Sequence, residues 1–218
     1  ADRFCSLSLE PTRLERERQV VLNERREQVE DDPESLLSEL LWYGSLDGVG
    51  YGRPTIGSNE DIKRISRNDC LSYYQRAYHP SNLIIAISGQ FDEAHVSQCL
   101  ESTFNAHGAS AARPQPMSHL NCYVPGCHGE ITIPTKTEKL YVGLPAPALQ
   151  SLDHAALEIV HHTLLEGESG RLHRVLVSEA ELATYAYGFL PSLTYDSIYE
   201  IGFDLRRTIT AETLLSAL

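Results

Sequence analysis

The sequence predicts an α+β fold in two blocks, each with strands running together and helices grouped beside them in layers. Three observations predict it. Stretches with apolar residues at helical spacing stand beside short runs of strand character. The last two such runs follow one another directly, as antiparallel neighbours do. AHGASAARPQPMS (106–118), small, proline-bearing and without apolar period, separates two blocks of similar character. The expected organisation is the C-terminal part of a first domain over 1–108, a linker over 109–118, and the N-terminal part of a second domain over 119–218.

Each element has a local reason. Pro11 and Thr12 open a helix over about 12–31, since proline suits a first turn and threonine can cap. DDPES (31–35) breaks it, and a second helix runs from Pro33 through ESLLSELLW to Tyr43. GSLDGVGYGRPTIGSNED (44–61) is glycine-rich loop, with neither spacing of a phosphate cradle. Ser58 or Asn59 caps a short helix over EDIKRI, and Arg67–Tyr78 forms another, ended by His79-Pro80. NLIIAISG (82–89) reads as a buried strand and DEAHVSQCLESTF (92–104) as an amphipathic helix.

After the linker the pattern restarts. GEITIPTKTEKLYVGLPAP (129–147) gives two strands, and LDHAALEIVHHTLLEGES (152–169) and SGRLHRVLVSEAE (169–181) give helices. ATYAYGFLP (183–191) and YEIGFDLRRT (199–208) alternate as strands. TAETLLSAL (210–218) starts a helix and stops mid-pattern.

Composition narrows the function. The chain has 218 residues, 42% of them hydrophobic, enough for a packed core. A net charge of -12 argues against a nucleic-acid binder, which needs a basic footprint. No apolar run reaches the length of a membrane span. Five scattered cysteines make a poor disulfide framework, and Cys122, Cys127 and His128 fit no strong zinc spacing.

ERQVVLNERR (17–26) places Val20, Val21 and Leu22 inside a run of charge, with Glu17 and Glu24 seven residues apart. Seven residues is about 20° short of two full helical turns, so both acids share a face. Val20 and Val21 lie between them, which would draw both carboxylates toward a core and give them need of a partner. By spacing alone, such a pair is ordinarily a solvated helix face.

The order of motifs adds a resemblance. E-x-x-V-V-L-x-E at 17–24, then PTIGSNEDI, then YYQRAYHPSN before an apolar strand and glycine, then KLYVGLPAP, LDHAALEIVHHTLLEGESGRLHRVL and the ATYAY strand resemble the pitrilysin/insulinase family of zinc metallopeptidases. These are the H-x-x-E-H inverzincins, and the branch resembled is that of the bacterial and mitochondrial-processing peptidases. The resemblance implies a processing-peptidase-like fold, two related layered domains with mostly antiparallel sheets covered by helices, both incomplete in this chain, and one Zn²⁺ per complete active site. Carried over, Glu24 is the third zinc ligand and Glu17 an acid supporting a ligand histidine. It also implies an arginine and, seven residues on, a tyrosine touching substrate. Tyr185 is the candidate tyrosine, but Ser178 stands seven before it, and in the other register Val177 stands before Thr184.

No H-x-x-E-H occurs, and none of the nine histidines precedes Glu24. The general base and the two histidine ligands are therefore expected upstream, with no catalytic residue in this chain. The expectation is a fragment of a zinc metalloendopeptidase acting on peptides or unfolded polypeptides, inactive and not zinc-loaded alone. It would pair as a homo- or hetero-dimer with a related subunit. The alternative is a non-catalytic partner subunit or domain of a processing-peptidase-like complex; a generic peptide-binding module is a third reading.

Overall fold

The computed structural model describes Phe4, residues 7–104 and residues 123–218. By packing, the chain groups into two compact units: Ala1–Leu22 with Ser58–Ser118, and Asn23–Gly57 with His119–Leu218. Residues 23–57, expected in the first domain, thus group with the later part of the chain. The linker expected at 109–118 lies outside the described residues, and a domain boundary there stays a proposal.

The first unit is helical. It holds most of α1 (Pro11–Arg25), then α2, α3 and α4, which are Asn59–Arg64, Arg67–Ala77 and Glu93–Phe104. Short polar side chains set the starts. Ser58 accepts from the Asp61 amide to cap α2. Ser66 and Asp69 form a reciprocal capping box on α3, satisfying two amides that the first turn leaves without partners. The Tyr74 hydroxyl donates to the Phe4 carbonyl at 2.5 Å, and the Phe4 ring packs edge-on against Phe104 at 5.6 Å.

NLIIAISG, expected as a buried strand, is neither buried nor a strand. It is irregular, and Ile84 is 94% exposed. A strand needs a neighbour to take its amides and carbonyls. Among the described residues this unit offers only helices.

In the second unit, α1 ends in a π-helical turn over Arg26–Glu30, where the Asp31 amide reaches back to the Arg26 carbonyl. Asp32 then caps α5, Pro33–Ser45, by accepting from the Ser35 amide. The sheet is β1-β3-β2, all antiparallel, with β1 Lys139–Ala146, β2 Ala183–Phe189 and β3 Ser197–Leu205. Helix α6, Leu152–Leu165, a π-helical segment over His173–Glu179 and α7, Ala211–Leu215, complete the unit.

The expected antiparallel pairing of the last two strands is present. The two strands expected over 129–147 are one. β1 begins at Lys139, opposite Asp204; β3 ends one residue later, and after the Leu205 amide has bonded the Glu138 carbonyl at 2.9 Å it has no residue left to pair with 129–137. β3 is central and buried on both faces for most of its length. Its Tyr199, Ile201, Phe203 and Leu205 join Ala146, Leu176, Ala183, Ala186 and Leu214 in the core. Gly202 leaves room for the Tyr187 ring, which a Cβ there would meet at 2.3 Å.

One buried polar pair sits at the edge of that core. The Tyr199 phenol is pushed up to about 12 by burial, so it stays protonated, and its hydroxyl is hydrogen-bonded with Nδ1 of His161 at 3.0 Å. Burial first, then His162, lowers the pKa of His161 below 6.5. The unfolded chain therefore binds that proton more readily than the fold. Stability contributed here is complete above about pH 6.5 and is lost as pH falls through that value toward the lower folded pKa.

Two outcomes are expected. Phe203→Ala lowers the unfolding free energy by about 3–5 kcal/mol in urea titration. The loss of stability between pH 7.5 and pH 5.5 is smaller in His161→Gln than in the native chain.

Candidate functional site

Helix α1 carries the two acids singled out by spacing. The structure gives both a solvent-exposed position, and Val20 between them is 56% exposed. The expectation that the valines draw these carboxylates into a core is therefore corrected: Glu17, Val20 and Glu24 are exposed, and of the two valines only Val21 is half-buried. Glu24 accepts from Gln28 Nε2 at 3.2 Å, one turn on. Glu17 makes no hydrogen bond or ion pair among the described residues.

The buried residue of this stretch is Arg25, 7% exposed. It forks onto Glu39 of α5, Nη2 to Oε1 at 2.6 Å and Nη1 to Oε2 at 3.1 Å, and donates to the Gly57 carbonyl at 2.7 Å. Two parallel bonds to a carboxylate fix direction as well as charge. Arg25 thereby ties the end of α1 to α5 and to the loop that follows.

Zinc is not accommodated by the described residues alone. Glu24 is one exposed carboxylate, and no three His, Cys, Asp or Glu side chains among the described residues converge to hold a metal. The Cys122 of the weak cysteine cluster lies outside the described residues, and Cys127 is exposed. His162 sits on the surface of α6 with Nδ1 2.8 Å from Glu166 Oε2, an ordinary i,i+4 pair.

Tyr185 stands on β2, 55% exposed and stacked on Tyr187 at 6.1 Å. Tyr187, not Tyr185, lines a cleft of about 670 Å³ in the second unit. Its walls include Trp42 of α5, Tyr141 of β1, and Tyr187 and Phe189 of β2, with Glu200 of β3 among them. The Trp42 and Phe189 rings are 6.4 Å apart, and Tyr141 meets Tyr187 edge-on at 5.5 Å. Burial pushes the Tyr141 phenol up to about 12 and raises that of Tyr187 further.

Glu200 is 3% exposed. Ser38 Oγ donates to its Oε2 at 2.6 Å and Trp42 Nε1 donates to the same oxygen at 2.9 Å. Ser38 and Trp42 are four apart on α5, so one helix face delivers both donors. Sequence reasoning missed this group. Its signal was a lone acid inside the apolar run SIYEIGF.

Comparison with known proteins gives the site its setting. Residues 64–218 match the family model described as the peptidase M16 inactive domain. An uncharacterized zinc protease of Streptomyces coelicolor is 26% identical over 165 residues, covering 73% of this chain and 36% of the relative. A probable mitochondrial-processing peptidase subunit beta of Schizosaccharomyces pombe is 29% identical over 104 residues, 48% of this chain and 22% of the relative. In fold, the chain is similar to a protease from Helicobacter pylori, with a TM-score of 0.78 and 23% identity over 97% of this chain and 51% of that one. The chain thus spans about half or less of the length of the proteins it matches.

Glu39→Gln, which leaves the Arg25 charge buried with a weaker partner, is expected to destabilise the second unit by about 3 kcal/mol. Urea unfolding measures it; a change within error would mean that the fork carries no net stability.

Proposed function

Since the chain belongs to the peptidase M16 family, we propose that it is part of a zinc metalloendopeptidase that cleaves peptides or unfolded polypeptides. The observation that carries this reading is the family match over 64–218, preceded by a helix with acids at 17 and 24. Relatives bearing the name zinc protease support it. In this reading Glu24 supplies one carboxylate ligand, Glu17 orients a ligand histidine, and Tyr185 contacts substrate. Carboxylate oxygen is a normal zinc ligand beside imidazoles. Bound zinc would supply a Lewis acid and an activated water. The residues of this chain do not make that site alone, so the 218-residue chain is inactive by itself.

A second reading is favoured by a specific observation. The matched model is that of the inactive domain, and one relative is named as a subunit of a processing peptidase. The chain would then serve as a non-catalytic partner that holds polypeptide, in a homo- or hetero-dimeric assembly. No helix among the described residues is long and apolar enough to cross a membrane.

The test compares the purified chain with the whole protein on a quenched, unstructured peptide, with and without chelator. The chain alone is expected to show no cleavage, and the whole protein chelator-sensitive cleavage. In the whole protein Glu24→Gln abolishes activity and zinc content together, and Glu17→Gln lowers zinc affinity or activity by about 10- to 100-fold. Chelator-sensitive cleavage by the chain alone, or full zinc content in Glu24→Gln, overturns the first reading. A whole protein without cleavage supports the second.

A further inference from the structure

We propose that the aromatic cleft of the second unit binds one basic side chain of a peptide, with its ammonium or guanidinium group seated on Oε1 of Glu200. The proposal rests on the reading above only for the polypeptide; the site itself stands on geometry.

A carboxylate buried to 3% exposure is costly unless it is well satisfied. Ser38 and Trp42 both donate to Oε2, and no hydrogen bond or ion pair reaches Oε1 among the described residues. The other acids lining the cleft are already engaged. Asp32 caps α5, Glu34 meets Lys139, and Glu39 holds Arg25. Glu200 alone among these four has neither a cation nor a helix start against it. Two donors on one oxygen orient the group, and the second oxygen is left for a ligand.

The aromatic walls suit the same ligand, and the one cation among the lining residues, Arg53, directs its Nε to the Gly48 carbonyl at 3.1 Å. Trp42, Tyr141, Tyr187 and Phe189 present aromatic rings around the acid. Ring faces attract cations, and the methylene stem of lysine or arginine packs on apolar surface while its head reaches a charge. The cleft volume lies within the usual range of small-ligand sites. A metal ion is not the match, because one free carboxylate oxygen is too few ligands. A phosphate-bearing ligand is not the match either, since the chain carries a net charge of -12.

Trp42 is the only tryptophan in the chain, so its fluorescence reports on the cleft directly. The native 218-residue chain is titrated, without zinc, with three capped tripeptides, acetyl-Gly-X-Gly-amide, in which X is arginine, lysine or citrulline. Citrulline keeps the shape of arginine and lacks the charge. The arginine and lysine peptides are expected to give saturable changes, with citrulline weaker by about tenfold or more, the factor that one modest charge interaction provides. Glu200→Gln, which keeps an acceptor for Ser38 and Trp42, is expected to bring arginine down to the citrulline level.

Citrulline within tenfold of both basic peptides in the native chain overturns the proposal, and that comparison needs no variant to fold. A folded Glu200→Gln chain that still prefers arginine also overturns it. Neither result bears on the zinc reading, since no catalysis is measured. An inactive whole protein would in turn leave this binding result standing.

Discussion

The second unit is organised around a carboxylate that its fold must satisfy. Glu200 sits on the central strand, between partners on both sides, opposite Gly143 of β1 and Phe189 of β2. A strand so placed cannot turn an acid to solvent. The donors come from α5, where Ser38 and Trp42 share one helix face. That need sets how α5 lies on the sheet: rotate the helix by one residue and the carboxylate loses both donors. Such groups contribute more to choosing one arrangement than to net stability, because desolvation offsets much of the bond energy.

The Arg25–Glu39 fork acts on the same helix, at the residue next to Ser38. It anchors the end of α1 to α5, which in turn carries the donors to Glu200. The stretch that drew notice for its two glutamates is held in place by the arginine next to one of them. The acids themselves are left in solvent, which is where a helix face serving a ligand outside the described residues would have them.

Helix starts were legible because their chemistry is local. Ser58 caps as expected, and the helix expected from Arg67 is capped by Ser66, each serine bonding an amide three residues on. Pairing of the last two strands was legible from their alternation. The strands over 82–89 and 129–138 were not, because an apolar run becomes a strand only if a neighbour lies alongside, and that depends on distant parts of the chain. The roles proposed for Glu24, Glu17 and Tyr185 rest on resemblance rather than physics, and spacing alone read the acid pair as a solvated face. The Glu200 cleft escaped for the opposite reason. Positions 38, 42, 141, 187, 189 and 200 come from four elements, and nothing in sequence order joins them. Only the misfit of one acid within SIYEIGF pointed there.

The irregular segment around Ile84 has a consequence for handling the protein. An irregular apolar stretch with exposed Ile84, Ile85, Ile87 and Phe91 and no strand beside it among the described residues is a template for intermolecular β-pairing. No charged residue interrupts NLIIAISGQF, so the usual guard against edge-to-edge association is absent. In concentrated solution, colloidal behaviour would be governed by these ten residues more than by the acidic surface, and a lysine at position 84 or 86 is the economical way to keep the chain dispersed.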